Sequence, residues 1–240
     1  MKTIYLDNNA TAPLLPEISE FVKAFAEKHQ SNPSSSHSMG QQWRHEVDIA
    51  RQDVAALIGV RPSEVFFTSS GTESNNWILR GVCSEADKKY HIVTSSVEHP
   101  SIESTCRYLR EKGHKITILS VNSEGQIDLK ALQNSIDEKP DLVSIQWVNS
   151  ETGVIQSVDE IAALCQVAEI PFHTDAVQAL GKIPMSHVFF PATFASFSAH
   201  KIHGLSGIGA SYIATGSHVA SLISGGSQEH GSRAGTENLL

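Results

Sequence analysis

One large α/β domain, its sheet mostly parallel and covered by helices on both faces, is what this 240-residue sequence predicts. Three observations carry the prediction. Short runs rich in β-branched and aromatic residues alternate with longer amphipathic ones. Polar residues suited to chemistry cluster at or just beyond the ends of several short runs, where open α/β sheets bind their ligands. Hydrophobic residues make up 40% of the chain, so core size is not limiting.

The elements follow in chain order. A helical pattern occupies 41–58. Val65-Phe-Phe-Thr68 is the first strand, and it passes through small residues into a helix at 74–82 marked by Trp77, Ile78, Leu79 and Val82. A strand at 91–95 leads through Pro100, which ends the extended segment, into a helix at 101–111. Strand 115–121, helix 129–138, strand 142–148 and helix 158–168 repeat the alternation. Strand 171–174 ends at Asp175 and turns into a helix carrying Gln178. Strands 194–198 and 210–214 close the pattern, and this last pair is expected to run antiparallel to the rest.

Composition narrows the function. A formal charge of −8 argues against a nucleic-acid surface, which needs clustered Lys and Arg. Asp7 interrupts the N-terminus before any secretory apolar segment can form. The uncharged stretch 205–228 is broken by Gly and Ser, so no membrane span is expected there. Cys83, Cys106 and Cys165 fall in helix-like patterns among apolar neighbours and read as buried structural thiols. Their odd number fits a reducing, cytoplasmic compartment. The histidines, His173, His200 and His203 among them, show no metal-ligand spacing, and Lys201 would repel a cation, so no metal is expected.

Chemistry concentrates in Ser196-Phe-Ser-Ala-His-Lys-Ile-His-Gly204, where Lys201 follows an apolar run beside a hydroxyl and an imidazole. Such an amine can condense with a carbonyl, and pyridoxal phosphate is the cofactor that most often uses this. Taken alone, the motif also describes a solvated loop lysine. Upstream, the turn around Gly71 and Thr72 opens a helix whose free N–H groups suit a phosphate, although Ser and Thr there are also ordinary caps. Asp175 can keep a pyridine nitrogen protonated and Gln178 can reach a phenolate oxygen; a capping aspartate is the plainer alternative. His99 sits before a proline at the junction of two elements.

Together these residues resemble the pyridoxal-phosphate-dependent cysteine desulfurases of the class V aminotransferase family. The likeness runs through Tyr5-Leu-Asp-Asn-Asn-Ala-Thr-Ala-Pro13, Ser31-Asn-Pro-Ser-Ser-Ser-His37, Thr68-Ser-Ser-Gly-Thr-Glu-Ser-Asn-Asn76 and Glu98-His99. It continues in Val148-Asn-Ser-Glu-Thr-Gly153, His173-Thr-Asp-Ala-Val-Gln178, Ser196-Phe-Ser-Ala-His-Lys201 and Gly231-Ser-Arg-Ala-Gly-Thr-Glu-Asn238. The resemblance implies a fold-type I large domain over 15–240, incomplete at its C-terminus, with 1–14 joining a C-terminal small domain that is missing.

It further implies that Lys201 carries the cofactor covalently, while Thr72, the Gly71 backbone, Ser198 and His200 hold its phosphate. Asp175 would pair with the ring nitrogen, Gln178 with the phenolate oxygen, and His99 would stack on the ring. Asn149 matches a position beside cofactor and substrate, and Thr236 one that reaches the phosphate of a neighbouring subunit in a homodimer. The implied reaction converts L-cysteine to alanine and passes sulfur to an enzyme cysteine, then to an acceptor or iron–sulfur scaffold protein. The persulfide cysteine and a carboxylate-binding arginine are expected beyond Leu240. The loop His203-Gly-Leu-Ser-Gly207 departs from the family by lacking a proline and a lysine. Selenocysteine lyase or another class V enzyme shares the same site pattern, and a non-catalytic dimerisation or scaffold subunit is the alternative from a different class.

Overall fold

The structure, a computed structural model, describes residues 4–28, 31–185 and 190–240. Residues 1–3 of the expected N-terminal segment lie outside it. Among the described residues, seven strands form one sheet: β1 (Val65–Thr68), β2 (His91–Ser95), β3 (Lys115–Leu119), β4 (Leu142–Ser144), β5 (Phe172–Asp175), β6 (Phe194–Ser198) and β7 (Gly209–Ile213). Their spatial order is β1-β7-β6-β5-β4-β2-β3. Strands β3, β2, β4, β5 and β6 pair in parallel, while β7 runs antiparallel to both β6 and β1.

The expected reversal of both 194–198 and 210–214 is therefore corrected. Only β7 is reversed. The link from β6 to β7 holds one 3₁₀ turn, Ala199–Ile202, and is too short for the crossover that a parallel neighbour requires. Two strands are also shorter than expected. β4 stops at Ser144, although Ile145 and Trp147 still donate backbone hydrogen bonds to the β5 carbonyls of His173 and Asp175. The remainder of 142–148 ends in a bridge between Val148 and Ile155.

Among the described residues there are six α-helices: α1 (Pro16–Ala26), α2 (Ser38–Ile58), α3 (Gly71–Val82), α4 (Pro100–Glu111), α5 (Leu129–Ile136) and α6 (Val158–Val167). Period-two alternation sends adjacent strand residues to opposite faces. Val93, Val143 and Ala195 pack with Ile58 of α2, Leu132 of α5 and Ile161 of α6. Ile92, Leu142 and Phe194 pack instead with Trp77 and Ile78 of α3 and Ile102 of α4. Both faces are thus covered, which explains why the central strands are buried throughout. Gly59 ends α2 with φ 74°, a left-handed C-cap that glycine adopts without steric cost.

Cys106 and Cys165 are buried in α4 and α6, and Cys83 is half-buried just after α3. Burial pushes all three thiols up to about 12, so they stay protonated and unreactive at neutral pH. No helix among the described residues is long and apolar enough to cross a membrane.

Candidate active site

The C-terminal ends of β5 and β6 and the start of α3 enclose a cavity of about 300 Å³. Gly71, Thr72, His99, Asp175, Gln178, Ser198, His200 and Lys201 all line it. These eight come from four separate stretches of sequence, and the parallel sheet brings them to one edge. Asn149 and Thr236 are not in the cavity wall. Asn149 organises the adjoining loop: its Oδ1 accepts from Glu151 N at 2.9 Å and Thr152 N at 2.8 Å, and its Nδ2 donates to Val97 O at 3.0 Å. Thr236 lines a different cleft, with Phe21, Ile49 and Phe67.

The turn from β1 into α3 is a reciprocal cap. Glu73 N donates to Ser70 Oγ at 3.1 Å, and Ser69 N donates back to Glu73 Oε2 at 2.8 Å. The Gly71 and Thr72 N–H groups have no partner among the described residues, and both residues face the cavity. A Cβ on Gly71 would lie 2.6 Å from Val177 Cγ2, and one on Gly209 would lie 2.5 Å from the Ser70 carbonyl carbon. Both glycines are required by close approach, so this end of α3 keeps an open cradle suited to an anion.

Asp175 is buried at the end of β5. Its Oδ2 accepts from Asn75 Nδ2 at 2.7 Å and its Oδ1 from Val177 N at 3.1 Å. Burial raises its pKa despite these bonds and the charges of His99 and Lys201. A buried carboxyl held by neutral donors is a seat for a cationic nitrogen. The same Asn75 amide donates to Ser101 Oγ at 2.9 Å, which leaves the Ser101 hydroxyl to donate to His99 Nδ1 at 2.7 Å. His99 also accepts from Ser101 N at 3.1 Å as the N-cap of α4. A directional chain therefore runs from Asp175 through Asn75 and Ser101 to the His99 ring.

Lys201 lies in the 3₁₀ turn after β6. Its Nζ donates to the carbonyls of Asn9 and, at 2.8 Å, Ala10. Desolvation lowers its pKa, opposed by Asp175, Asp7 and Glu151, which favours the nucleophilic amine. The segment bearing Asn9 is tied down by Ala12 N donating to His200 O at 2.9 Å and by the Thr11 hydroxyl against His200 Nδ1 at 3.1 Å. Gln178 lies in a run of turns after β5, a correction to the expected helix: Gly181 at φ 70° breaks the segment after little more than one turn.

Sequence reasoning missed Asn75, Glu98 and Gln146. Asn75 stands four residues after Gly71 on the same face of α3, and that spacing was the available signal. Glu98 accepts from Ser95 Oγ at 2.5 Å and from Gln146 N at 3.1 Å, joining the loops after β2 and β4. Its carboxyl is pushed up to about 8, chiefly by desolvation. The unfolded chain loses this proton near pH 4.5 and the folded protein only near 8. This group's contribution is therefore fully present at low pH and is lost as pH rises through that window. Glu98→Gln should flatten the decline, so urea midpoints of variant and wild type should diverge between about pH 5 and about pH 9. Parallel curves would refute a proton held at Glu98.

A family model described as aminotransferase class-V matches residues 4–237. The chain is 43% identical over 239 residues to a cysteine desulfurase of Nostoc sp. (strain PCC 7120 / SAG 25.82 / UTEX 2576), covering 100% of this chain and 60% of that protein. It is 38% identical to a cysteine desulfurase IscS of Methanosarcina thermophila, covering 99% and 59%. The chain thus spans about 60% of the length of these curated relatives. Among solved structures, a NifS-like protein superposes with a TM-score of 0.95 at 41% identity, covering 99% of this chain and 66% of the other. A structure of SspA in complex with cysteine gives 0.94 at 33% identity, covering 99% and 69%.

Proposed function

The chain belongs to the class V aminotransferase family, and from that premise we propose that its cavity binds pyridoxal phosphate and serves the desulfuration of L-cysteine. The observation that carries the proposal is the joint placement in one cavity of an amine of lowered pKa, Lys201, and a buried carboxyl, Asp175. The open cradle at Gly71 and Thr72 fits the cofactor's phosphate, with Ser198 and His200 beside it. His99, oriented by Ser101, offers a ring to stack against the cofactor. The relatives' names support cysteine as the substrate, and one related structure was solved with cysteine bound.

Pyridoxal phosphate, when bound, supplies a carbonyl for amines and a cationic ring that accepts the electrons of a bond broken at the substrate α-carbon. The residues of the chain do the rest. Lys201 Nζ would hold the cofactor and, as a free amine, would be the base that moves a proton at the substrate α-carbon. Asp175 would keep the ring nitrogen protonated, and Gln178 would donate to the phenolate oxygen. The sulfur-accepting thiol is none of Cys83, Cys106 and Cys165, because burial keeps each protonated.

The proposal extends to the assembly. Residues 15–240 form the cofactor domain and 1–14 join a small domain. Asn149 lies beside the substrate, and Thr236 completes the phosphate site of a second copy in a homodimer. The sulfur goes to an acceptor or iron–sulfur scaffold protein in the cytoplasm. The placement of Thr236 away from its own cavity is compatible with a role in the partner's site.

Borohydride reduction of the protein with pyridoxal phosphate, followed by peptide mass mapping, tests the reading. The expected result is a pyridoxyl adduct on Lys201 that is absent from Lys201→Ala. No adduct on a chain shown by circular dichroism to be folded would refute the cofactor site.

A further inference from the structure

Gln178 and Lys182 stand four residues apart in the turns after β5 and meet through their side chains. Lys182 Nζ donates to Gln178 Oε1, and Gln178 Nε2 donates to Asn9 O at 2.9 Å. Lys201 Nζ donates to that same Asn9 carbonyl. Gln178 is buried in the cavity wall, whereas Lys182 is exposed and lies outside it. An ammonium has three donors and no acceptor. Lys182 can therefore meet only the oxygen end of the amide, and this contact turns the NH₂ end away toward Asn9. The Asn9 carbonyl favours the same orientation from the Nε2 end, although Lys201 donates to that carbonyl too, and Lys182 adds the constraint at the Oε1 end. The opposite orientation would set an acceptor against an anionic oxygen.

We propose that Lys182 is a positioning residue: it fixes the Gln178 amide so that a hydrogen-bond donor, never an acceptor, is available to the phenolate oxygen of the bound cofactor. The inference rests on the pyridoxal phosphate reading. A donor on that oxygen makes it a weaker base and so a weaker partner for the proton on the nitrogen that joins Lys201 to the cofactor. The nearby ammonium charge acts in the same direction, so both effects of Lys182 lower the pH at which that nitrogen gives up its proton. The other charged or titratable groups around the cluster are Lys201 and His200 of the 3₁₀ turn, Asp175 at the end of β5, Asp7 of the N-terminal segment and Glu151 of the loop after β4. None of them contacts Gln178 Oε1 among the described residues.

The test is the pH titration of the cofactor's visible absorbance in the loaded protein, comparing wild type with Lys182→Met and Lys182→Arg. Lys182→Met should raise the midpoint by roughly one pH unit. Lys182→Arg, again a donor without an acceptor, should restore at least half of the shift. Lys182 is exposed, so both variants should fold, and circular dichroism checks this. A merely structural role for Lys182 would leave the midpoint where it is. A wild-type midpoint retained in Lys182→Met overturns the positioning role alone. Absence of a visible band in wild type overturns the cofactor reading, and the role of Lys182 falls with it.

Discussion

Asparagine at position 175 is expected to weaken pyridoxal phosphate binding by about a hundredfold to several thousandfold, read by equilibrium dialysis with absorbance detection. The range follows from removing one partner of a buried ion pair, which costs about 3–5 kcal/mol. Asparagine keeps the shape of the side chain and loses its charge. It also loses one hydrogen bond, because Asp175 now accepts from both Asn75 Nδ2 and Val177 N, and an amide has only one oxygen to offer them. The cofactor-free protein should behave differently. Its buried carboxyl has a raised pKa, so removing the buried charge offsets the lost hydrogen bond, and Asp175→Asn should differ little in stability from wild type. A site that sacrifices stability for a ligand charge predicts this split between binding and folding. Equal cofactor affinity in the two proteins would remove Asp175 from the ring-nitrogen role.

Sequence made the frame of the fold legible because short β-rich runs alternate with longer amphipathic ones over most of the chain. The site was legible for a related reason. In a parallel sheet the strand ends share one edge, so Asp175 and Lys201, each just after or at the end of a strand, must come near one another. What escaped depended on geometry that periodicity does not encode. α1 has no buried residue: its Phe21 and Phe25 stack on each other, and Phe25 meets Trp43 edge-on. The direction of β7 is set by the length of the link that holds Lys201. Asn75 and Glu98 are polar residues whose importance lies in what they hold, Asp175 in one case and Gln146 in the other. Neither residue type announces such a partner. Lys182 is the extreme case: exposed, one turn beyond Gln178, and distinguished only by the amide it contacts.

Glu229→Ala is expected to lower global stability by about 3–5 kcal/mol, a fall in Tm of roughly 6–20 °C for a chain of this size. Glu229 forms a buried bidentate pair with Arg51, Oε2 to Nη1 at 2.7 Å and Oε1 to Nη2 at 3.0 Å. The same carboxylate accepts from Phe67 N at 2.8 Å, and Arg51 Nη1 also donates to Val65 O at 2.8 Å. Alanine would leave the guanidinium buried without its counter-charge and an N–H of β1 without an acceptor. Glu229 and His230 both hold left-handed φ, 47° and 56°, a conformation that needs such anchoring in residues other than glycine. The loss reaches the site as well. The Glu229 anchor precedes Arg233, which bonds Glu73 in the first turn of α3 at 2.6 Å, beside the Gly71–Thr72 cradle. Urea denaturation of Glu229→Ala measures the cost. The double variant Arg51→Met/Glu229→Leu separates its sources, because replacing the whole pair by apolar groups should recover most of the loss. A single-variant loss below about 1 kcal/mol would mean that the pair is only a surface contact in energetic terms.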